Sequence, residues 1–317
     1  MKNKEKMISA VIACYNDGDS IPIIHQRLTQ TFLKIGCNYE IIFVNDGSPD
    51  NSEKVLEKIC NDDENTMAII HSRNFSSQNA FTSGMMYSSG DAVVLLDGDL
   101  QDPPELIEKF YKRWVEGYDV VYGVRENRDT TFFLQLAYKL FYRIFRRVSY
   151  IQIPIDAGDF SLIDRKVVNA INNIPENDRF IRGLRAWVGF KQIGVPYNRP
   201  ERMFGKTTNN FFSNFRWARK GIFSFSNVPI ELIIYFSSLI VLISVFALVF
   251  YIGYYFINPT APHGITTIIV LVLFLGGAQL LSISILAEYI GKILEETKRR
   301  PKFIIDKIIN DKSKPTS

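Results

Sequence analysis

The chain has 317 residues, 47% of them apolar, and a formal charge of +4 at neutral pH, enough material for one folded domain with an appendage. So small a positive charge, gathered beside apolar stretches rather than along a groove, excludes a nucleic-acid binder and makes lipid head groups or phosphates the partners of the basic residues. Cys14, Cys37 and Cys60 form no CxxC pair and read as reduced, mostly buried thiols without chemistry of their own.

Met1 to Lys6 is polar and the apolar run behind it is only strand length, so no signal peptide is expected and the first 200 residues should stay in the cytoplasm. Short apolar runs then alternate with helical patterns. Strands are predicted at Met7–Cys14, Glu40–Asn45, Met67–His71, Ala92–Asp97 and Asp119–Val124. Helices are predicted at Ile21–Leu33, Asn51–Cys60, Gln78–Ser89 and Pro104–Glu116. Such alternation specifies an α/β fold, a doubly wound and mostly parallel sheet with helices on both faces. Its ligands belong beyond the carboxyl ends of the strands, where Asn16, Asp17, Asp46, Asp97 and Asp99 fall.

The fourth strand ends in Asp97-Gly98-Asp99, followed by Leu100-Gln101-Asp102-Pro103-Pro104-Glu105. Two hard oxygen donors one residue apart can hold Mg²⁺ or Mn²⁺ against a diphosphate, although turns are also rich in Asp and Gly. Asp46, in Asn45-Asp46-Gly47-Ser48, could accept hydrogen bonds from a base or ribose, or could stabilise its own turn.

From Thr131 to Tyr150 a helix rich in Phe, Leu and Tyr carries Lys139, Arg143, Arg146 and Arg147 on one face, the pattern of a helix lying in a membrane interface. A second such helix is expected at Phe211–Phe225, inside a juxtamembrane segment 206–228. From Leu232 through Ala287 there is no Asp, Glu, Lys or Arg. The stretch breaks at a turn-rich loop, 258–264, leaving two runs that each exceed the roughly 20 residues of a bilayer crossing. Transmembrane helices are therefore expected at 229–257 and 265–290, with a tail at 291–317. Arg216, Arg219 and Lys220 precede the first, and Lys292, Lys298, Arg299, Arg300 and Lys302 follow the second. That bias puts both termini, and a catalytic domain at 1–205, on the cytoplasmic side of a cell membrane.

Together, several motifs resemble one family: Val11-Ile-Ala-Cys-Tyr-Asn-Asp17, Val44-Asn-Asp-Gly-Ser48, Ser72-Arg-Asn-Phe75, Asp97 to Glu105, Asp156-Ala-Gly-Asp-Phe160, Arg182 to Phe190, Glu201-Arg202 and Ala287-Glu-Tyr-Ile-Gly291. The chain is similar over almost its whole length to inverting GT-A glycosyltransferases of family 2, in the branch that glycosylates polyprenyl phosphates and includes bactoprenol glucosyltransferases. The resemblance implies a UDP-sugar donor, with glucose first and N-acetylglucosamine next, and an undecaprenyl or polyprenyl phosphate acceptor. It implies that Tyr15, Asp46 and Asp97 contact the nucleotide, that Asp99 and Gln101 serve the metal, and that Arg125, Lys139 and Arg202 meet the lipid phosphate. Asp159 takes the position of the family's second-site carboxylate and, with Asp99, is the catalytic candidate; a carboxylate capping the strand Phe160–Ile163 is the plainer reading. A homo-oligomer, a flippase and a second transferase are the further partners implied.

The chain departs from the family's pattern in having Ala13 for Pro, Asp17 for Glu, Ser76-Ser77-Gln78 for Gly-Lys-Glu, and Gly205-Lys-Thr-Thr-Asn209 for Gly-Glu-Ser-Lys-Tyr. A processive synthase would need a QxxRW motif, and a dinucleotide enzyme a GxGxxG after the first strand; neither is present. The alternative outside enzymology is an inactive membrane scaffold that keeps the fold, against which the retained acidic residues speak.

Overall fold

The computed structural model describes residues 6–125, 157–200, 228–257 and 264–311. The chain forms two compact units, one holding the sheet and the other two long helices. The interfacial helices expected at 131–150 and 211–225, and the loop 258–263, lie outside the described residues.

In the first unit, eight strands form one sheet: β1 (Met7–Cys14), β2 (Asn38–Asn45), β3 (Thr66–His71), β4 (Ala92–Asp97), β5 (Val120–Arg125), β6 (Ala157–Asp164), β7 (Gln192–Tyr197) and β8 (Ile305–Ile309). The order is β7-β5-β6-β4-β1-β2-β3-β8. β3, β2, β1 and β4 run parallel, β7 is parallel to β5, and only β6 and β8 run against their neighbours. The expected mostly parallel sheet is what forms.

The central strands are largely apolar because helices cover both faces, and the buried Ser9 and Glu40 satisfy each other at 2.6 Å. On one side Ile8, Ala10 and Ile12 of β1 join a core with Ile24, Leu28 and Phe32 of α1 (Ile21–Ile35), Leu56 of α2 (Ser52–Asp62) and Phe110 of α4 (Ile107–Val115). On the other, Val11 faces Gly84 of α3 (Ser77–Tyr87) so closely that a Cβ on the glycine would sit 2.2 Å from a Val11 methyl. α5 (Arg165–Asn172) and α6 (Ile181–Trp187) follow β6. α1 runs two residues past its expected end and stops at Gly36, whose φ of 73° gives the left-handed cap.

β1 is flanked by β2 on one side and β4 on the other, so the strand order reverses there. In open α/β sheets such a reversal opens a crevice above the carboxyl ends. β6 descends into it: its register against β4 pairs Leu95 with Ser161, and two residues further on Asp159 comes beside Asp97.

The segment expected as a tail contributes structure of its own. Ile305–Ile309 pairs antiparallel with β3 and covers what would be a bare sheet edge.

The second unit contains α7 (Val228–Ile257) and α8 (Ile265–Thr297). Both include a window long and apolar enough to cross a bilayer, and neither window is buried within the protein. Phe246 and Ile257, each 78% exposed, carry their apolar surface outward. A core helix would bury these groups, so the chain associates with a membrane through them.

Candidate active site

The turn at the end of β4 is drawn tightly against β1. Gly98 N donates to Ala13 O at 2.9 Å, and Ser20 Oγ donates to Gly98 O at 2.6 Å. A Cβ at residue 98 would come 2.8 Å from Asp17 Oδ2 and 3.1 Å from Ala13 O, which is why glycine separates the two aspartates. Leu100 completes the turn at φ 62°, a left-handed conformation that a γ-branched residue holds at a cost. At the end of β2, Gly47 has φ 65°, and a Cβ there would run into the Arg73 backbone at 2.5 Å.

The nucleotide candidates line the crevice. Tyr15 is 43% exposed at the end of β1, with its backbone N–H held by Asp17 Oδ2 at 2.9 Å. Asp46 is buried; its Oδ1 accepts from Phe75 N at 2.8 Å and lies 2.8 Å from His71 Nδ1. Oδ1 thus braces the loop that follows β3.

Asp97, Asp99, Asp102 and Asp159 form a field of like charge. Burial pushes the Asp97 carboxyl well above the usual carboxylate range, and Asp102, Asp99 and Asp159 push it further while Arg199 opposes them. Burial likewise raises Asp102, against the pull of Arg199, Tyr197 and Arg125. Asp99 Oδ1 accepts from Gln101 N at 3.1 Å, and Gln101 Nε2 reaches Pro200 O at 3.4 Å.

A tyrosine and two arginines face these acids. Tyr197 Oη donates to Asp102 Oδ1 at 2.7 Å. Arg199 lies 3.7 Å from Asp102 and 3.8 Å from Asp99, beyond direct hydrogen bonds. Burial works against the charge on Arg125, but Tyr197, Asp102 and Asp97 outweigh it and hold its pKa above the ordinary value. Its guanidinium lies along Gly158, where a Cβ would meet Nη2 at 3.2 Å.

Asp159 sits inside β6 rather than capping it. Gln78 Nε2 donates to Oδ2 at 3.1 Å and Arg182 Nε approaches Oδ1 at 3.3 Å. Arg185 is fully buried behind it, 4.9 Å over the Tyr122 ring, with its pKa brought down to about 10 by burial. Of the residues singled out in the sequence, Tyr15, Asp46, Asp97, Asp99, Gln101, Arg125 and Asp159 fall at this one end of the sheet. Lys139 and Arg202 lie outside the described residues. His71, Gln78, Asp102, Arg182, Tyr197 and Arg199 join the site without a role legible in the sequence, although Asp102 and Arg182 lie inside the family-like motifs.

No group of three or more His, Cys, Asp or Glu is placed as a ready-made metal cage among the described residues. The donor set nevertheless fits a hard divalent cation shared with a diphosphate. Mg²⁺ and Mn²⁺ are commonly held by one or two carboxylates, the phosphates and water, and the mutual repulsion of Asp97, Asp99 and Asp102 is what a bound cation would relieve.

A parallel-rich sheet with an antiparallel β6, and an acidic turn at the crevice, define the GT-A class of glycosyltransferase. Residues 9–171 match the model of Glycosyl transferase family 2, and the chain belongs to that family. It is 40% identical, over 94% of both chains, to an uncharacterized glycosyltransferase of Synechocystis sp.. It is 35% identical to the bactoprenol glucosyl transferase of Shigella phage SfV, over 97% of this chain and 99% of that one. Among solved structures, a mannosyltransferase from Pyrobaculum calidifontis in complex with GDP-Man and Mn²⁺ superposes with a TM-score of 0.50 at 13% identity, covering 94% of this chain and 89% of that chain. That likeness is one of fold. The chain is a glycosyltransferase enzyme.

Proposed function

We propose that this enzyme transfers a hexose, glucose before N-acetylglucosamine, from a UDP-sugar to undecaprenyl or another polyprenyl phosphate, with inversion at the anomeric carbon. The observation that carries the reading is its near full-length similarity to a bactoprenol glucosyl transferase, in a chain whose acidic crevice is followed by two exposed apolar helices.

Tyr15, Asp46 and Asp97 contact the nucleotide of the donor. Asp99 and Gln101 would hold Mg²⁺ or Mn²⁺, which when bound would offset the charge that develops on the departing diphosphate. Arg125, Lys139 and Arg202 receive the phosphate of the acceptor. A phosphate monoester has a second pKa near 6 and arrives largely ionised, so its oxygen attacks the anomeric carbon without a base as the bond to UDP breaks. Both Asp159 oxygens face donors, Arg182 and Gln78, which fits orienting rather than proton abstraction. Back-side displacement of an α-linked donor gives a β-linked lipid phosphate sugar.

Sheet pairing supports a shared side for the two flanks of the apolar helices. β3 precedes both apolar helices and β8 follows them, yet the two are neighbours in one sheet. That pairing agrees with two crossings between them. Basic residues at both flanks favour the cytoplasmic side. A lipid-linked sugar made there is used on the opposite face, which requires a flippase and a second transferase; self-association through the apolar helices completes the set of partners.

Transfer of radiolabel from UDP-glucose, UDP-N-acetylglucosamine and GDP-mannose to undecaprenyl phosphate, with the detergent-purified chain, tests the reading. Lipid labelling from UDP-glucose supports it. Folded protein that labels lipid from no donor would favour the inactive scaffold.

A further inference from the structure

The segment after the last apolar helix is locked onto the donor side of the sheet by more than strand pairing. Ser72 N donates to Ile304 O at 3.0 Å. Lys307 Nζ lies 2.6 Å from carboxylate oxygens of both Glu53 and Glu57 on α2. Asn310 Nδ2 donates to Thr66 O at 2.7 Å. At the head of the segment, the Phe303 ring lies flat on the His71 imidazole, with centroids 5.4 Å apart and planes 8° from parallel.

His71 is wholly buried and uses both nitrogens in its own plane: Nδ1 lies 2.8 Å from Asp46 Oδ1 and Nε2 2.9 Å from Ser83 Oγ. Phe75 meets the ring edge-on, 5.7 Å between centroids. The two hydrogen bonds engage the ring nitrogens, and Phe303 supplies the flat apolar surface that covers one face of the imidazole.

We propose that Phe303 is a positioning residue for the sugar-nucleotide donor: stacked on His71, it fixes the imidazole that aims the Asp46 carboxylate at the nucleoside. This rests on the assignment of Asp46 to the donor nucleotide. Without the ring, water reaches one face of His71 and competes for Asp46 Oδ1, and the carboxylate loses its orientation. A segment that only covered the β3 edge would affect folding stability and leave donor affinity alone.

The test uses the full-length chain in detergent, as wild type and as the Phe303→Ala, Phe303→Tyr and Asn310→Ala variants. Binding of UDP and GDP is followed by calorimetry, and KM is measured separately for donor and acceptor. Loss of one oriented hydrogen bond to a charged group predicts that Phe303→Ala weakens nucleotide binding and raises donor KM about tenfold, with acceptor KM and kcat within twofold of wild type. Phe303→Tyr restores the affinity, and Asn310→Ala lowers Tm without moving donor KM. Unchanged donor KM in Phe303→Ala, or an equal rise in Asn310→Ala, overturns the positioning role while leaving the transferase reading intact. A wild type that binds neither nucleotide, or one whose affinity survives Asp46→Ala, removes the donor assignment and the inference with it.

Discussion

Gln78 ties Asp159 to the start of α6: its Nε2 donates to Asp159 Oδ2 at 3.1 Å while its Oε1 accepts from Ile181 N at 2.7 Å. The side chain is buried, so truncation strands a backbone donor and releases one carboxylate oxygen. Gln78→Ala is expected to cost about 2 kcal/mol of stability, seen as a lower Tm, and to reduce kcat more than donor KM. A variant with wild-type kcat would show that Asp159 needs no orientation from this side.

Ser76 occupies φ 80°, ψ 154°, a region open in practice only to glycine. The family resemblance gave glycine as the usual residue there, and the structure supplies the reason. Ser76→Gly should relieve about 1 kcal/mol of strain and raise Tm, with kcat/KM preserved. A fall in Tm would mean that the extra backbone freedom glycine brings to the unfolded chain outweighs the strain.

Asp97 carries a pH signature. Its folded pKa is raised above the ordinary 3.8, so the stability this group contributes is fully present below that value and is lost as pH rises through the folded pKa. Asp102 shifts in the same direction. In metal-free buffer, Asp97→Asn should therefore unfold at least about 2 °C higher than wild type at pH 7.5, with the gap closing toward pH 4, and should lose transfer. Thermal melts across that pH range check it; a gap that widens in acid would contradict the sign.

The parts of the fold legible in sequence were those whose signal is local. Met7–Cys14 and Ala92–Asp97 read as strands because burial on both faces makes them mostly apolar, and Asp97 and Asp99 read as a site because the turn that holds them ends such a strand. β8 escaped notice because five residues following a long helix look like a tail until their partner, β3, is known. The relay from Tyr197 to Asp102 spans 95 positions, and Arg199 joins it only when β7 lies beside β5. His71 looked like the end of a strand; its place against Asp46 depends on two strand ends meeting, which no spacing encodes.

The most direct test of the central claim is the product itself, formed from UDP-glucose and undecaprenyl phosphate by the purified wild type and by Asp99→Ala, each with Mn²⁺ or Mg²⁺ and with chelator. The account predicts a β-linked glucosyl phosphate lipid from the wild type, lost on chelation and reduced at least about a hundredfold in Asp99→Ala. An α-linked product, or equal turnover in the two proteins, would contradict it.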